Sequence, residues 1–146
     1  MPRNSVAYDE DFFAWTQEQA RLLRDGDLAD IDVENLAEEI ESMGKSDRRE
    51  IRNRLVVLLA HLLKWEFQPS GRSNSWSGTI REQRRRIALV IEDSPSLRAV
   101  VAGTLYDAYG KARLDAAEET ELALSTFPNE CPYPPEQILS EDFLPE

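Results

Sequence analysis

The sequence predicts an all-α fold: a single-domain helical bundle of about five helices, with a proline-rich C-terminal tail docked on it. Three observations carry this prediction. Within residues 46–67, Ile51, Leu55, Leu58, Leu62 and Trp65 follow one another at spacings of 4, 3, 4 and 3, the period of one helical face. Val56, Leu59 and Leu63 widen that stripe to about half the circumference, so the helix must be covered from more than one side. Start and stop signals recur along the chain, with Asp9, Asp32 and Ser46 as caps, Gly26, Gly44 and Pro69 as stops, and Ser94-Pro95 as an opening.

Each element follows from such signals. The first helix is expected from about Glu10 to Arg24, burying Phe12, Trp15, Leu22 and Leu23, with Tyr8 leading in as a staple. A second is expected over Val33–Met43, capped by Asp32, with Val33, Leu36, Ala37, Ile40 and Met43 inward and a stop at Gly44. The central helix, Ser46 to Phe67, spans about six turns, roughly 30 Å. So short a break between the two makes them antiparallel or sharply angled neighbours.

Residues 68–77 read as the one substantial loop, rich in Ser, Gly and Asn. A fourth helix is expected from about Gly78 to Glu92, with Ile80, Ile87 and Ile91 on one stripe. A fifth runs from Ser94-Pro95 to about Leu124 on Leu97, Val101, Leu105, Ala108, Ala112 and Ala116. Gly103 and Gly110 weaken it by up to about 1 kcal/mol each and mark a bend or a close helix contact. The domain is expected to span residues 1–146, with its core over about 8–126. The tail, 127–146, has one helical turn at Pro135–Leu139.

At 146 residues, 41% hydrophobic and 31% charged, the chain can bury a core without disulfides. Its single cysteine, Cys131, excludes an internal disulfide and a zinc site built on several cysteines. The apolar run from Val56 to Leu63 is interrupted by His61 and stopped by Lys64, far short of the roughly 20 residues of a membrane span. We expect no membrane association and a cytoplasmic location.

The net charge of −11 is unevenly spread. Residues 1–44 hold 12 acids and 3 bases, residues 45–86 hold 4 acids and 11 bases, and residues 87–146 hold 12 acids and 3 bases. A basic middle between acidic ends is read as helices complementing one another. The alternative is a basic surface for nucleic acid, disfavoured because the whole acidic protein repels a polyanion.

The segments ENLAEEIESMGKSDRREI, LLAHLLKW, the Ser-Trp followed by TIREQRRRI, SPSL and the closing FPNECPYPPEQILSEDFLP together resemble a bacterial family, domain of unknown function 29. The resemblance runs from about Tyr8 to Pro145. It implies a small, all-α, cytoplasmic bacterial protein and implies no activity. Its motifs are matched most visibly at Glu38, Glu39, Glu41, Gly44, His61, Trp65, Trp76, Gln83, Arg84, Cys131 and Pro132.

Arg84 falls within the stripe of Ile80, Ile87 and Ile91, so its guanidinium is expected to be buried and paired with a carboxylate. Asp115 and Glu119 are the first candidates, Glu39 and Glu41 the others. His61 projects to the rim of the central helix's apolar arc and is expected to bond a neighbouring carboxylate. Trp76 reads as a plug under its loop, and Trp65 and Trp76 are the aromatics a pocket would use. Cys131 reads as a side chain seating the tail.

No Gly-rich phosphate loop, nucleophile elbow or HExxH pattern is present. One histidine cannot build a di-iron carboxylate bundle, and neither a metal nor a cofactor is expected. The favoured reading is a non-enzymatic module that binds a protein partner or itself, motivated by the apolar Tyr133, Ile138, Leu139, Phe143 and Leu144 of the tail. The alternatives are a small hydrolase or metal-dependent enzyme with a His61/Arg84/carboxylate cleft, and a nucleic-acid binder using residues 45–86.

Overall fold

The structure is a computed structural model and describes residues 7–146. Among them there are five helices and no strand: α1 (Phe12–Asp25), α2 (Val33–Phe67), α3 (Asn74–Asp93), α4 (Arg98–Thr120) and α5 (Pro135–Leu139). Short 3-10 turns at Leu28–Asp30, Pro69–Gly71, Pro95–Leu97 and Leu124–Thr126 join them. Two compact units divide the chain, one up to Lys45 and one from Ser46 to Glu146. α2 supplies residues to both.

The helices expected over 33–43 and 46–67 are one element, and the break at Gly44 does not occur. Gly44 keeps a helical backbone, outside the left-handed region that a terminating glycine adopts. Ser46 has Arg49 three residues on, not the Glu or Gln that completes a capping box. With no proline nearby, continuing the helix satisfies backbone groups that two new ends would orphan. A mid-helix glycine costs only about 1 kcal/mol against that.

In the first unit, Asp11 rather than Asp9 caps α1, accepting from the Ala14 N–H at 3.0 Å. Gly26 ends it with φ 78°, and the N–H of Asp27 returns to the Leu22 carbonyl at 2.9 Å. Trp15, Gln19 and Leu22 are buried. The Trp15 indole donates to Asp32 at 3.1 Å, and the Asp32 N–H donates to the Gln19 amide oxygen at 2.7 Å. Asp32 also caps α2 through Asn35, as expected. The amide bond from Asn35, then the indole, holds the Asp32 carboxyl below its usual range. The Gln19 amide nitrogen is the one buried side-chain polar atom among the described residues without a partner.

In the second unit, the stripe of α2 is the centre: Ile51, Leu55, Leu58, Leu59, Leu62 and Leu63 are fully buried. α3 covers it with Ile80, Ile87 and Ile91, and α4 with Val101, Ala108, Tyr109, Ala112 and Ala116. Phe127, Tyr133 and Ile138 complete the same cluster. α3 starts at Asn74, four residues earlier than expected, because Ser73 caps it through the Trp76 N–H. α4 stops at Thr120, whose hydroxyl accepts from the Leu122 N–H while Glu121 turns left-handed at φ 60°. Neither Gly103 nor Gly110 has a neighbour within 4 Å of where a side chain would begin, so no close helix contact is made there.

The uninterrupted α2 has a direct test. An added methyl at Gly44 meets nothing within 4 Å, so Gly44→Ala should raise stability in urea unfolding by about 0.5–1 kcal/mol. A left-handed stop at that position would give a loss instead.

Candidate functional site

Two neighbourhoods concentrate side chains with something to offer, one in each unit. In the first unit α1 and the start of α2 run antiparallel, because Tyr8 meets Glu39 while Trp15 and Gln19 meet Asp32. Tyr8, Phe12 and Trp15 form an aromatic cluster with centroids 4.8–5.8 Å apart. The Tyr8 hydroxyl donates to Glu39. That bond, then burial and the charges of Glu39, Glu38 and Asp9, pushes the phenol up to about 12.

Of the apolar residues expected inward on this part of α2, Leu36 is half-buried, whereas Ala37 is exposed and Val33 is 61% exposed, Ile40 66% and Met43 68%. On α1, Phe12 is 49% exposed, Phe13 72% and Leu23 48%. Projecting both helices at 3.6 residues per turn from their mutual contacts puts Phe12, Phe13 and Leu23 on one side of the hairpin. Val33, Ala37 and Ile40 fall on that same side. A 14-residue helix covers only part of so wide an apolar arc. The signal was present in the sequence: Phe12 and Phe13 stand one position apart, and both cannot face the same partner helix.

In the second unit the last turns of α2 gather His61, Lys64 and Trp65. Lys64, read from sequence as the stop of an apolar run, is 7% exposed. Its ammonium lies 4.9 Å from the Trp76 ring centroid and 3.6 Å from Glu119 of α4. His61 does not bond a carboxylate. Its Nδ1 lies 2.8 Å from the Val57 carbonyl oxygen one turn back, so Nδ1 carries the proton and donates. Burial and the Lys64 charge pull its pKa below the ordinary value, outweighing the Val57 bond and Glu119. Trp65 carries the Arg72 guanidinium 5.2 Å from its ring centroid. Trp76 packs on Gly71, where an added side chain would start 2.5 Å from the indole.

Arg84 is buried on α3, as expected, but its partner is not a carboxylate. Its Nε donates to the Ile138 carbonyl at 2.8 Å and a terminal nitrogen to Gln137 at 3.2 Å. A five-residue helix such as α5 leaves its last carbonyls short of donors: Gln137 receives the Ser140 N–H at 3.2 Å and the guanidinium as a second donor, while Ile138 receives the guanidinium. Burial alone lowers the Arg84 pKa. The carboxylates expected there are engaged elsewhere: Asp115 takes Lys111 at 2.6 Å and Glu119 faces Lys64. Glu39 holds Tyr8 in the first unit, and Glu41 is exposed. The structure thus brings Glu119, Lys64, His61 and Trp76 together and leaves Arg84 to the tail.

The tail is held by more than Arg84. The Tyr133 hydroxyl donates to Glu66 at 2.8 Å, and its pKa is raised by burial first and that bond second. Tyr109 donates to the Pro128 carbonyl at 2.6 Å, and Arg113 donates to those of Phe127 and Leu124. Cys131 is half-buried, bonds the Tyr133 carbonyl and has its thiol pKa raised by burial. Of the apolar tail residues, Tyr133 and Ile138 are buried, Leu139 and Phe143 are half-buried against the core, and Leu144 is exposed, so the unit itself takes up most of that apolar surface.

The basic residues of 45–86 are largely spent inside the unit. Arg54 pairs with Glu50, Arg85 and Arg86 with Glu82, and Arg52 with Asp107. Arg85 and then Arg86 hold the Glu82 carboxyl down at about 2. Among the described residues no three of His, Cys, Asp and Glu are grouped to hold a metal ion, and no helix is long and apolar enough to cross a membrane.

Residues 7–144 match the family model described as Domain of unknown function DUF29. No curated protein matches the chain, and no solved structure matches it.

Two measurements check this geometry. Arg84→Met removes the two guanidinium bonds to the end of α5, so amide exchange at Gln137, Ile138 and Ser140 should speed about tenfold, the equivalent of ~1.4 kcal/mol. Unchanged exchange would mean the guanidinium does not hold the tail. Folded His61 binds its proton more weakly than the unfolded chain, whose imidazole titrates near 6.5. Its contribution is therefore full above that value and is lost as pH falls through it. Unfolding free energy should drop between pH 7 and 5, and His61→Gln should remove that part of the slope.

Proposed function

The chain belongs to that family, and because its description carries no activity, we propose from the geometry that this protein is a protein-interaction module. The docking surface is the apolar side of the hairpin formed by α1 and the start of α2. The observation that carries the reading is the exposure of Phe13, Val33 and Ile40, each more than 60% open to solvent beside the rest of the hairpin. Isolated exposed apolar residues are ordinary, but a contiguous side built from two helices marks a place where another surface docks. Covering one Val, Ile or Phe is worth about 1.5–3 kcal/mol, and several act together.

The second unit supports this reading as a scaffold. Its buried polar groups are engaged in holding its own tail and helix ends. Lys64, Arg84, Tyr109 and Tyr133 each end on a carbonyl, a carboxylate or an aromatic face of the same unit.

A photo-crosslinking residue placed at Phe13 or Ile40 should yield higher-mass adducts in the cells that make the protein. The same residue at exposed Glu118 should yield none. Absence of adducts from Phe13 and Ile40 would remove the reading.

A further inference from the structure

We infer that the occupant of the hairpin face is an amphipathic helix or segment of another protein whose apolar side is bordered by lysine or arginine. This deepens the interaction reading above and rests on it. The argument is charge complementarity around the apolar side. Along its α2 edge the projection places Glu34 and Glu41, both exposed and without an ion pair among the described residues. Glu10 and Asp11 stand at the end where α1 begins, and Asp27 and Asp30 at the turn between the helices. On the far edge, along α1, the only cation among the described residues is Arg24; Arg21 is held by Glu18 and Asp25.

A second copy is the obvious rival, and charge argues against it. Residues 1–44 carry 12 acids against 3 bases, so two such faces would meet acid against acid. Like charges brought together at an interface oppose association. A partner with apolar anchors and a cationic border removes that opposition and gains steering over distance. It should lie with its basic border toward α2, because that edge is acidic and the α1 edge carries Arg24. The apolar anchors would meet Phe13 and Ile40, where burial of an aromatic and a branched side chain concentrates binding energy.

The test uses the full chain and a fluorescent peptide of leucine and lysine, its leucines at helical spacing, followed by anisotropy. Two comparison peptides carry glutamate in place of lysine, or the same residues with the leucines scattered. The ordered leucine–lysine peptide should bind at least tenfold tighter than either. Phe13→Ser and Ile40→Ser should each weaken it about tenfold, with helicity by circular dichroism unchanged. Glu34→Lys and Glu41→Lys should weaken it, whereas Arg24→Glu should tighten it. Equal binding of the scattered peptide, or indifference to the face substitutions, would overturn the inference. So would a dimer, seen by light scattering, that Ile40→Ser dissolves. Adducts from Phe13 or Ile40 together with failure of the peptide would leave the interaction role standing and overturn only this chemistry. Failure of both would overturn both.

Discussion

The second unit depends on one requirement, that the apolar half of α2 between Ile51 and Leu63 be removed from water on several sides at once. Six side chains there are wholly buried, each worth about 1.5–3 kcal/mol on that account. No single neighbour can supply the cover. α3 and α4 enclose two flanks, and Phe127, Tyr133 and Ile138 close what they leave open. The tail is therefore part of the interior, and the polar groups near it serve that arrangement. Arg84 ends α5, Tyr133 reaches Glu66, and Arg113 takes the carbonyls of the turn after α4.

The first unit obeys the opposite balance. Its interior is small, Trp15 and Leu22 with Gln19 between them, and it is held as much by Asp32 and its donors as by apolar contact. A hairpin of two helices has two broad sides and one seam, so apolar residues in excess of the seam must face outward. Phe12, Phe13, Val33 and Ile40 are that excess. Their number accords with the docking role proposed for this side of the hairpin.

How far the sequence foretold all this varies with the physics of each feature. The stripe from Ile51 to Leu62 and the seat of Arg84 within the stripe of α3 follow from helical period alone, and both are as read. The partner of Arg84 was not legible. Pairing depends on which orphaned carbonyls the tail brings near, and a five-residue helix end is invisible until the chain is folded. The bond of His61 to Val57 was missed because a local carbonyl one turn back outcompeted any distant carboxylate. Gly44 misled because glycine stops a helix only when it turns left-handed, and nothing after it favours stopping. The outward face of α2 was misassigned for a related reason: period shows which residues share a side, not whether anything covers that side.

The clasp between Arg84 and the carbonyls of Gln137 and Ile138 joins groups more than fifty positions apart in the chain. During synthesis α2 and α3 emerge first, with a guanidinium and a row of leucines awaiting residues still inside the ribosome. Until positions 133–138 are out, that interior stays open and sticky. The unit therefore closes only after this segment has emerged to dock, and its order of assembly follows from a contact that spans most of its length.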